Sequence, residues 1–206
     1  MGKIKFEKLS YIKKSYYEDL LSQVKIAKNL GVSSDALVYF MRKYDLKRRT
    51  ASENEKIKFA KKPLTFNIKI NLSQKEKELK AVAVSLYWGE GYKAKNAKNL
   101  DFANSDVEMI KVFLKFLRTI CNVDSSKLRV YLYCYSNQKP LDLVKYWSKV
   151  TKIPVSKFTK PYIRKDFQLS KIGKMEKGLI HVRYYDKKLL LEMMKWIEEY
   201  KLKFSN

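Results

Sequence analysis

Two hydrophobic periods alternate along the second half of the chain and predict an order of helices and strands. Ser73 and Glu76 have the spacing of a capping box, so a helix is predicted to begin there. Its apolar positions at helical spacing are Leu79, Val82 and Leu86. The polar, basic segment 92–98 and the alternating segment 99–104, which has Leu100 and Phe102 on one side, then predict two short strands. Another helix is predicted over 106–120.

The alternation returns in two later segments, which precede a final helix. Residues 127–135 and 179–185 each alternate apolar and polar side chains, and Asp186 is placed to cap the helix that follows. An antiparallel sheet needs only one buried face, so the opposite face is predicted to be basic and aromatic. Its predicted members are Lys127, Arg129, Tyr131, Tyr133, Tyr135, His181, Arg183 and Tyr185. The predicted fold class is α+β.

The first 50 residues predict three short helices, over about 9–21, 22–30 and 33–44, with Ser22 and Ser33 as N-caps. The segment 51–71 lacks helical periodicity and is interpreted as a linker, which ends in a possible strand. The predicted domains are therefore 1–50, the linker 51–71, and 72–206.

The second and third of these helices resemble a helix-turn-helix. Ala27 lets the helices cross closely, Gly31 makes the turn, and Leu37 and Phe40 pack inward. Such a unit places its last helix in the major groove of DNA. The residues predicted to face bases are Ser34, Asp35, Val38 and Tyr39, and those predicted to face phosphates are Arg42 and Lys43. A protein-binding three-helix bundle is the alternative, and the basic run 47–49 favours DNA.

Net charge narrows the class of partner. The chain has 45 Lys and Arg against 21 Asp and Glu, a net charge of +24, which indicates a polyanion and first of all nucleic acid. Solvated surface lysines are the alternative explanation. No apolar run or lipidation signal indicates a membrane. Cys121 and Cys134 form no zinc pattern, are expected to be buried, and fit a reducing, cytoplasmic location.

Residues 83–91, AVSLYWGEG, resemble the LAGLIDADG signature of homing endonucleases and related DNA-binding proteins. In this alignment Glu90 takes the position of the last acid, which binds the divalent metal in that family. Gly91 takes the final glycine and is expected to be left-handed. Trp88 replaces the first acid. The predicted element order, αββαββα over 72–203, is that of one LAGLIDADG half with an insertion over 136–178. The insertion is predicted to hold a helix near 141–150 and a basic loop over 157–177.

Small side chains on one stripe of the Glu90 helix predict a close helix–helix contact. Ala81, Ser85 and Gly89 lie four residues apart, a spacing that lets a second backbone approach. A single-motif chain would dimerise through this stripe, bringing two copies of Glu90 together. Glu90 also lies at a helix C-terminus, where the macrodipole disfavours a negative charge, so a nearby cation is expected.

The resemblance implies a homodimeric, Mg²⁺-dependent, site-specific endonuclease that acts on double-stranded DNA. Each Glu90 would serve as metal ligand and catalytic residue. The sheet would contact DNA together with Lys93, Lys95 and Lys98. A basic side chain among Lys127, Arg129, His181 and Arg183 would stabilise the transition state, and the sequence does not choose among them.

Three alternatives stay open. The outward tyrosines are also explained by cross-strand pairing alone. The same scaffold would suit a DNA-binding transcriptional regulator that does not cleave, which the loss of the first acid at Trp88 favours and the retained Glu90 disfavours. An RNA-binding, maturase-like protein would fit the charge equally well.

Overall fold

The computed structural model describes residues 4–164 and 175–205. The chain divides into two compact units, Met1–Pro63 and Leu64–Asn206. The described residues form eight α-helices and one four-stranded mixed sheet, so the predicted α+β class is confirmed.

The first unit is helical. Its helices are α1 (Leu9–Lys13), which continues as a π-helical turn over Lys14–Glu18, α2 (Gln23–Asn29), α3 (Ser34–Lys43) and α4 (Ala51–Lys61). Ser22 and Ser33 cap α2 and α3 as predicted, since their hydroxyls accept from the backbone amides of Lys25 at 3.2 Å and Ala36 at 3.1 Å. Gly31, between the two helices, has a φ of +65°, a conformation that glycine adopts without steric cost.

A small core joins α1, α2 and α3. Its buried hydrophobic members are Ile12, Tyr16, Ile26, Ala27, Leu37, Phe40, Met41 and Leu46. Arg49 fastens the segment after α3 to this core. Its guanidinium carbon lies 4.0 Å from the centre of the Tyr16 ring, and its backbone amide donates to the Tyr16 hydroxyl at 2.8 Å.

The segment 51–71 was predicted to be a linker without helical periodicity. This prediction is wrong for its first part, because Ala51–Lys61 form the helix α4. Thr50 and Glu53 form a complete capping box at its start, with the Glu53 carboxylate 2.7 Å from the Thr50 amide. None of the residues of α4 is buried, so the segment has no apolar stripe from which a helix could be recognised. The boundary of the compact unit follows it at Pro63.

The second unit packs four helices on one sheet. The helices are α5 (Gln74–Glu90), α6 (Val107–Thr119), α7 (Pro140–Thr151) and α8 (Lys187–Phe204). The strands are β1 (Leu100–Asn104), β2 (Leu128–Tyr135), β3 (Tyr162–Arg164) and β4 (Leu179–Tyr184), in the order β1-β4-β2-β3. The Ser73 capping box and the helix within the insertion are as predicted.

Alternation sorts the sheet into a buried and an outward face. β4 lies antiparallel between β1 and β2, with Val182 opposite Phe102 on one side and Val130 on the other. All three are fully buried. The intervening residues face outward, so Arg183 lies opposite Asp101 and Arg129, and His181 lies opposite Ala103 and Tyr131.

Three details of the predicted sheet are wrong. No strand forms over 92–98, where the chain makes only a single bridge between Gly91 and Phe102. The unpredicted strand β3 pairs in parallel with β2 inside the insertion. Tyr135 is buried rather than outward, because β3 and the Arg164 guanidinium, 5.6 Å from its ring centre, cover it.

Some predictions fall partly outside the described residues. The basic loop over 157–177 begins in a 3-10 turn, Val155–Lys157, and residues 165–174 of it are not described. Cys121 and Cys134 are buried free thiols, as expected. Among the described helices, none combines the length and the apolar character needed to cross a bilayer.

Candidate functional site

A cleft of about 600 Å³ lies where the end of α5 meets the outward face of the sheet. Charged and hydrogen-bonding side chains supply much of its wall. The lining residues are Glu90, Gly91, Tyr92, Asn96, Ala97, Lys98, Asn99, Asp101, Ala103, His181 and Arg183. The cleft thus joins the motif glutamate to two of the basic residues predicted on the sheet.

Asp101 organises the floor of this cleft. Its side chain is buried, with the residue only 5% exposed, and both carboxylate oxygens are used. Oδ1 lies 2.9 Å from Nδ1 of His181, and Oδ2 accepts from Nε of Arg183 at 2.6 Å. A buried carboxylate requires such partners, because an unpaired charge is costly to remove from water.

Arg183 is held from both sides. Its guanidinium carbon lies 4.0 Å from the centre of the Tyr131 ring, whose hydroxyl is 2.6 Å from that of Tyr185. Burial by itself lowers the pKa of Arg183, but the negative charge of Asp101 and the surrounding hydrogen bonds outweigh burial and raise it above the ordinary value. Arg183 therefore stays charged.

Tyr87 fixes the position of Glu90 relative to Asp101. Its hydroxyl donates to the Tyr92 carbonyl at 2.9 Å and accepts from the Asp101 amide at 3.4 Å. Burial raises the pKa of this phenol to about 12, so it remains a donor. The turn after Glu90 is thereby tied to the first strand.

The expectation that Gly91 is left-handed is wrong. Its φ is −77° and its ψ is 146°, an extended conformation, because the chain passes directly from α5 into the bridge with Phe102. Glycine is needed there for space: a Cβ would lie 2.5 Å from the backbone oxygen of Tyr87 and 2.6 Å from its ring.

A cation does lie at the C-terminus of α5, as the position of Glu90 suggested. Nζ of Lys93 donates to the carbonyls of Gly91 at 2.7 Å and Tyr87 at 3.4 Å. An ammonium group at these carbonyls complements the macrodipole. Lys93 is thus bound to the backbone, whereas Lys95 and Lys98 are exposed and only Lys98 lines the cleft.

The other predicted sheet contacts surround a second, smaller cleft of about 390 Å³, lined by Lys127, Arg129, Tyr131, Thr159 and Tyr185. Lys127 lies in a 3-10 turn rather than in the strand. Arg129 donates to the carbonyls of Ser126 at 2.7 Å and Leu128 at 2.8 Å. Tyr133 instead packs against His181, with ring centres 4.8 Å apart.

The residues of α3 form a separate surface in the first unit. Asp35, Tyr39, Arg42 and Lys43 are exposed, whereas Ser34 and Val38 are half-buried. The Tyr39 side chain has 68% of its surface exposed. Four of the six residues of α3 predicted to contact DNA are thus exposed, and their contact with DNA stays a prediction.

The small-residue stripe of α5 is partly open. Ser85 and Gly89 are exposed, and a Cβ added at Gly89 would meet no atom within 4 Å. Ala81 is half-buried. Trp88, which takes the position of the first acid in the signature, is 43% exposed. The centre of its ring lies 5.7 Å from Nζ of Lys201.

The cleft contains few side chains that could bind a metal ion. In the described part of the chain, no three His, Cys, Asp or Glu side chains are grouped closely enough to hold a metal ion. Asp101 is already bound to His181 and Arg183. Glu90 is exposed and is the acidic residue of the cleft whose carboxylate remains open. Mg²⁺ requires several oxygen ligands, and Glu90 supplies one carboxylate. Water molecules or a second subunit would have to provide the remaining ligands.

Sequence reasoning missed Asp101, although a signal was present. Leu100 and Phe102 were assigned to one side of the strand, which places Asp101 on the opposite side with the basic residues. An acid at the centre of a basic face indicates a specific ion pair.

Comparisons with family models, with curated proteins and with solved structures give no match for this chain.

Proposed function

We propose that this protein is a DNA-binding protein that acts as a homodimeric, Mg²⁺-dependent, site-specific endonuclease. The observation that carries the proposal is the position of Glu90, which opens into the same cleft as His181 and Arg183. A phosphodiester in this cleft would meet an open carboxylate, an imidazole and a guanidinium together. This combination suits the hydrolysis of an anionic substrate.

Binding of duplex DNA is supported by the outward face of the sheet. Arg129, Tyr131, Tyr133, His181 and Arg183 share this face, and β-ribbons of such composition can enter the major groove. The net charge of +24 would attract the phosphate backbone and make affinity fall steeply with salt. The exposed side chains of α3 would add a second surface of the helix-turn-helix kind.

Glu90 would hold the metal. A bound divalent ion supplies a water of lowered pKa and positive charge for the reacting phosphate. The cleft of one chain offers one open carboxylate, that of Glu90, so the proposal requires a second chain. The exposed Ser85 and Gly89 on the same helix leave room for that contact, which would place the two Glu90 side chains near each other.

The test replaces Glu90 by glutamine. Glu90→Gln is expected to lower the Mg²⁺-dependent cleavage rate by at least about 100-fold, because an amide is a poor metal ligand. DNA affinity should be unchanged or higher, since a negative charge near phosphates is removed. Cleavage would be measured against a library of random duplex sites, and affinity in Ca²⁺.

The matched control is Glu78→Gln, the same change on an exposed residue of the same helix. This variant should cleave like the wild type. Cleavage by Glu90→Gln at the rate of the control would end the assignment of Glu90 as the metal ligand.

A non-cleaving DNA-binding regulator is the second candidate. It is favoured by the lack of a three-ligand metal cluster in the described residues and by Trp88 at the first acid position. Specific binding to a selected duplex without cleavage in Mg²⁺ or Mn²⁺ would establish this candidate in place of the nuclease.

A further inference from the structure

The single histidine of the chain is oriented by a buried carboxylate. Oδ1 of Asp101 lies 2.9 Å from Nδ1 of His181, while Oδ2 is occupied by Arg183. Because a carboxylate only accepts, the hydrogen on His181 is placed on Nδ1 when the ring is neutral. The lone pair is then on Nε2.

The ring is also held in orientation. The Tyr133 ring packs against it at 4.8 Å between centres with an interplanar angle of 40°. The His181 side chain is 22% exposed and lines the cleft that contains Glu90. Among the described residues, Nε2 has no hydrogen-bond partner. The free nitrogen is therefore available to a molecule in the cleft.

We propose that Asp101 and His181 form a carboxylate–imidazole dyad in which His181 is the general base of hydrolysis. Asp101 is the positioning residue, since it acts through the histidine. This inference rests on the proposed endonuclease function and adds the proton acceptor that Glu90 does not provide while it holds a metal. Such a base contributes about 100- to 10,000-fold to a rate.

In the proposed step, Nε2 of His181 takes one proton from a water molecule in the cleft. The water oxygen forms a bond to phosphorus, and the bond from phosphorus to the leaving oxygen breaks. The leaving oxygen keeps the electron pair of that bond and takes a proton from solvent. His181 then returns its own proton to solvent, so no co-reactant is required.

Several charged or titratable groups face this step. They are Asp101 from β1, Arg183 from β4, Tyr131 and Tyr133 from β2, Glu90 from the end of α5, and Lys98 from the loop before β1. Arg183 is fixed between Asp101 and Tyr131, so its charge is constant over the working pH range. A change of activity with pH would therefore not come from Arg183, and comparison with the His181 and Asp101 variants would assign it to the dyad.

A simple DNA contact by His181 predicts the opposite pH dependence. An imidazole that binds phosphate does so when protonated, and its contribution grows as pH falls. A general base works only when neutral. The cleavage rate at saturating DNA should therefore fall as pH is lowered, whereas a phosphate contact by His181 would strengthen.

The first experiment uses the fact that the chain has one histidine. Imidazole ¹⁵N NMR of this chain would give the tautomer of His181, because the spectrum contains signals from one imidazole ring. In the neutral ring we expect the proton on Nδ1, and in Asp101→Asn a shift towards the Nε2–H form. A wild-type ring protonated on Nε2 would overturn the dyad, whether or not the protein cleaves DNA.

The second experiment measures cleavage. His181→Gly should lose at least about 100-fold in rate at saturating DNA. The rate is measured at saturating DNA because His181 also lies on the proposed DNA-binding face, so a change in affinity does not enter it. Added imidazole should restore part of the rate, which a purely structural role would not allow. His181→Gln, which preserves the bulk of the side chain, should show the same loss.

Asp101→Asn should reduce the rate by at least about tenfold and weaken its dependence on pH. The control is Asp142→Asn, an exposed position on α7, which should retain the wild-type rate. If the wild type cleaves DNA and His181→Gly cleaves it at the same rate, the proposed dyad is wrong and the proposed endonuclease function is retained. If the wild type never cleaves, the endonuclease fails and the catalytic role of the dyad fails with it.

Discussion

At the scale of the residue, the turn after Glu90 depends on contacts within 3 Å. The Gly91 amide donates to the Tyr87 carbonyl at 2.8 Å, and the Tyr92 amide donates to the Asp101 carbonyl at 2.9 Å. The Tyr87 hydroxyl closes the arrangement through its bond to Tyr92. The position of the motif glutamate in the cleft is therefore set by a buried tyrosine that carries no charge.

Gly91→Ala is predicted to destabilise the protein by about 1–3 kcal/mol. Its Cβ would lie 2.5 Å from backbone, so the turn must move. Gly89→Ala is the matched control two residues earlier. Its Cβ meets nothing within 4 Å in the chain, and alanine favours helix over glycine by up to about 1 kcal/mol. Because Gly89 also lies on the proposed dimer surface, the stabilisation is expected at concentrations where the protein is monomeric. Urea unfolding measures both, and equal losses would contradict the steric explanation.

At the scale of the element, helix starts are specified by local hydrogen bonds. The Ser73 hydroxyl accepts from the Glu76 amide at 3.4 Å, and the Glu76 carboxylate accepts from the Ser73 amide at 2.9 Å. Nζ of Lys69 also donates to Glu76 at 2.6 Å. The side-chain hydrogen bond from Lys69, followed by the amide of Ser73, lowers the pKa of Glu76 from 4.5 to about 2.

This pKa shift predicts a pH-dependent difference between the wild type and Glu76→Gln. A carboxyl whose pKa is lower in the folded state contributes stability above its unfolded pKa, and loses it as pH falls through the folded value. The advantage of the wild type should be constant above about pH 5 and shrink as pH falls from 4.5 towards 2. Urea unfolding at several pH values measures the difference.

Ser73→Ala provides the control for this element. It removes the N-cap hydroxyl, which does not titrate, and should cost about 1 kcal/mol with a weaker dependence on pH than Glu76→Gln shows, because the hydroxyl is only a minor cause of the low Glu76 pKa. If the difference between the wild type and Glu76→Gln stays the same down to about pH 3, the capping interaction does not involve the charged carboxylate.

At the scale of the whole molecule, the proposed activity requires two chains. The open part of the α5 stripe, Ser85 and Gly89, is the surface through which they would meet. Ser85→Trp is predicted to weaken the dimer at least about 100-fold, or about 3 kcal/mol, because an indole prevents close approach of the two backbones. Light scattering across a concentration series measures the oligomeric state.

The control for dimerisation is Gln74→Trp, the same substitution at an exposed position near the start of α5. It should remain dimeric and cleave DNA, whereas Ser85→Trp should be folded and inactive. A wild-type protein that is monomeric on its DNA target would contradict the shared Glu90 site.

The fold was predictable where its determinants are local. The caps at Ser22, Ser33 and Ser73 and the alternation of β2 and β4 each depend on residues a few positions apart, and all were recognised. The helix α4 was missed although Thr50 and Glu53 have the capping-box spacing, because the segment has no apolar stripe.

The α+β class, most of the helices, and a basic, aromatic outward face for the sheet could be predicted from the residues alone, since periodicity and charge are properties of short segments. The parallel pairing of β3 and the role of Gly91 became visible only in the folded chain. The tertiary structure also brought Asp101 to His181, 80 positions away. The physical reason is that strand order and side-chain packing join residues that no local spacing relates.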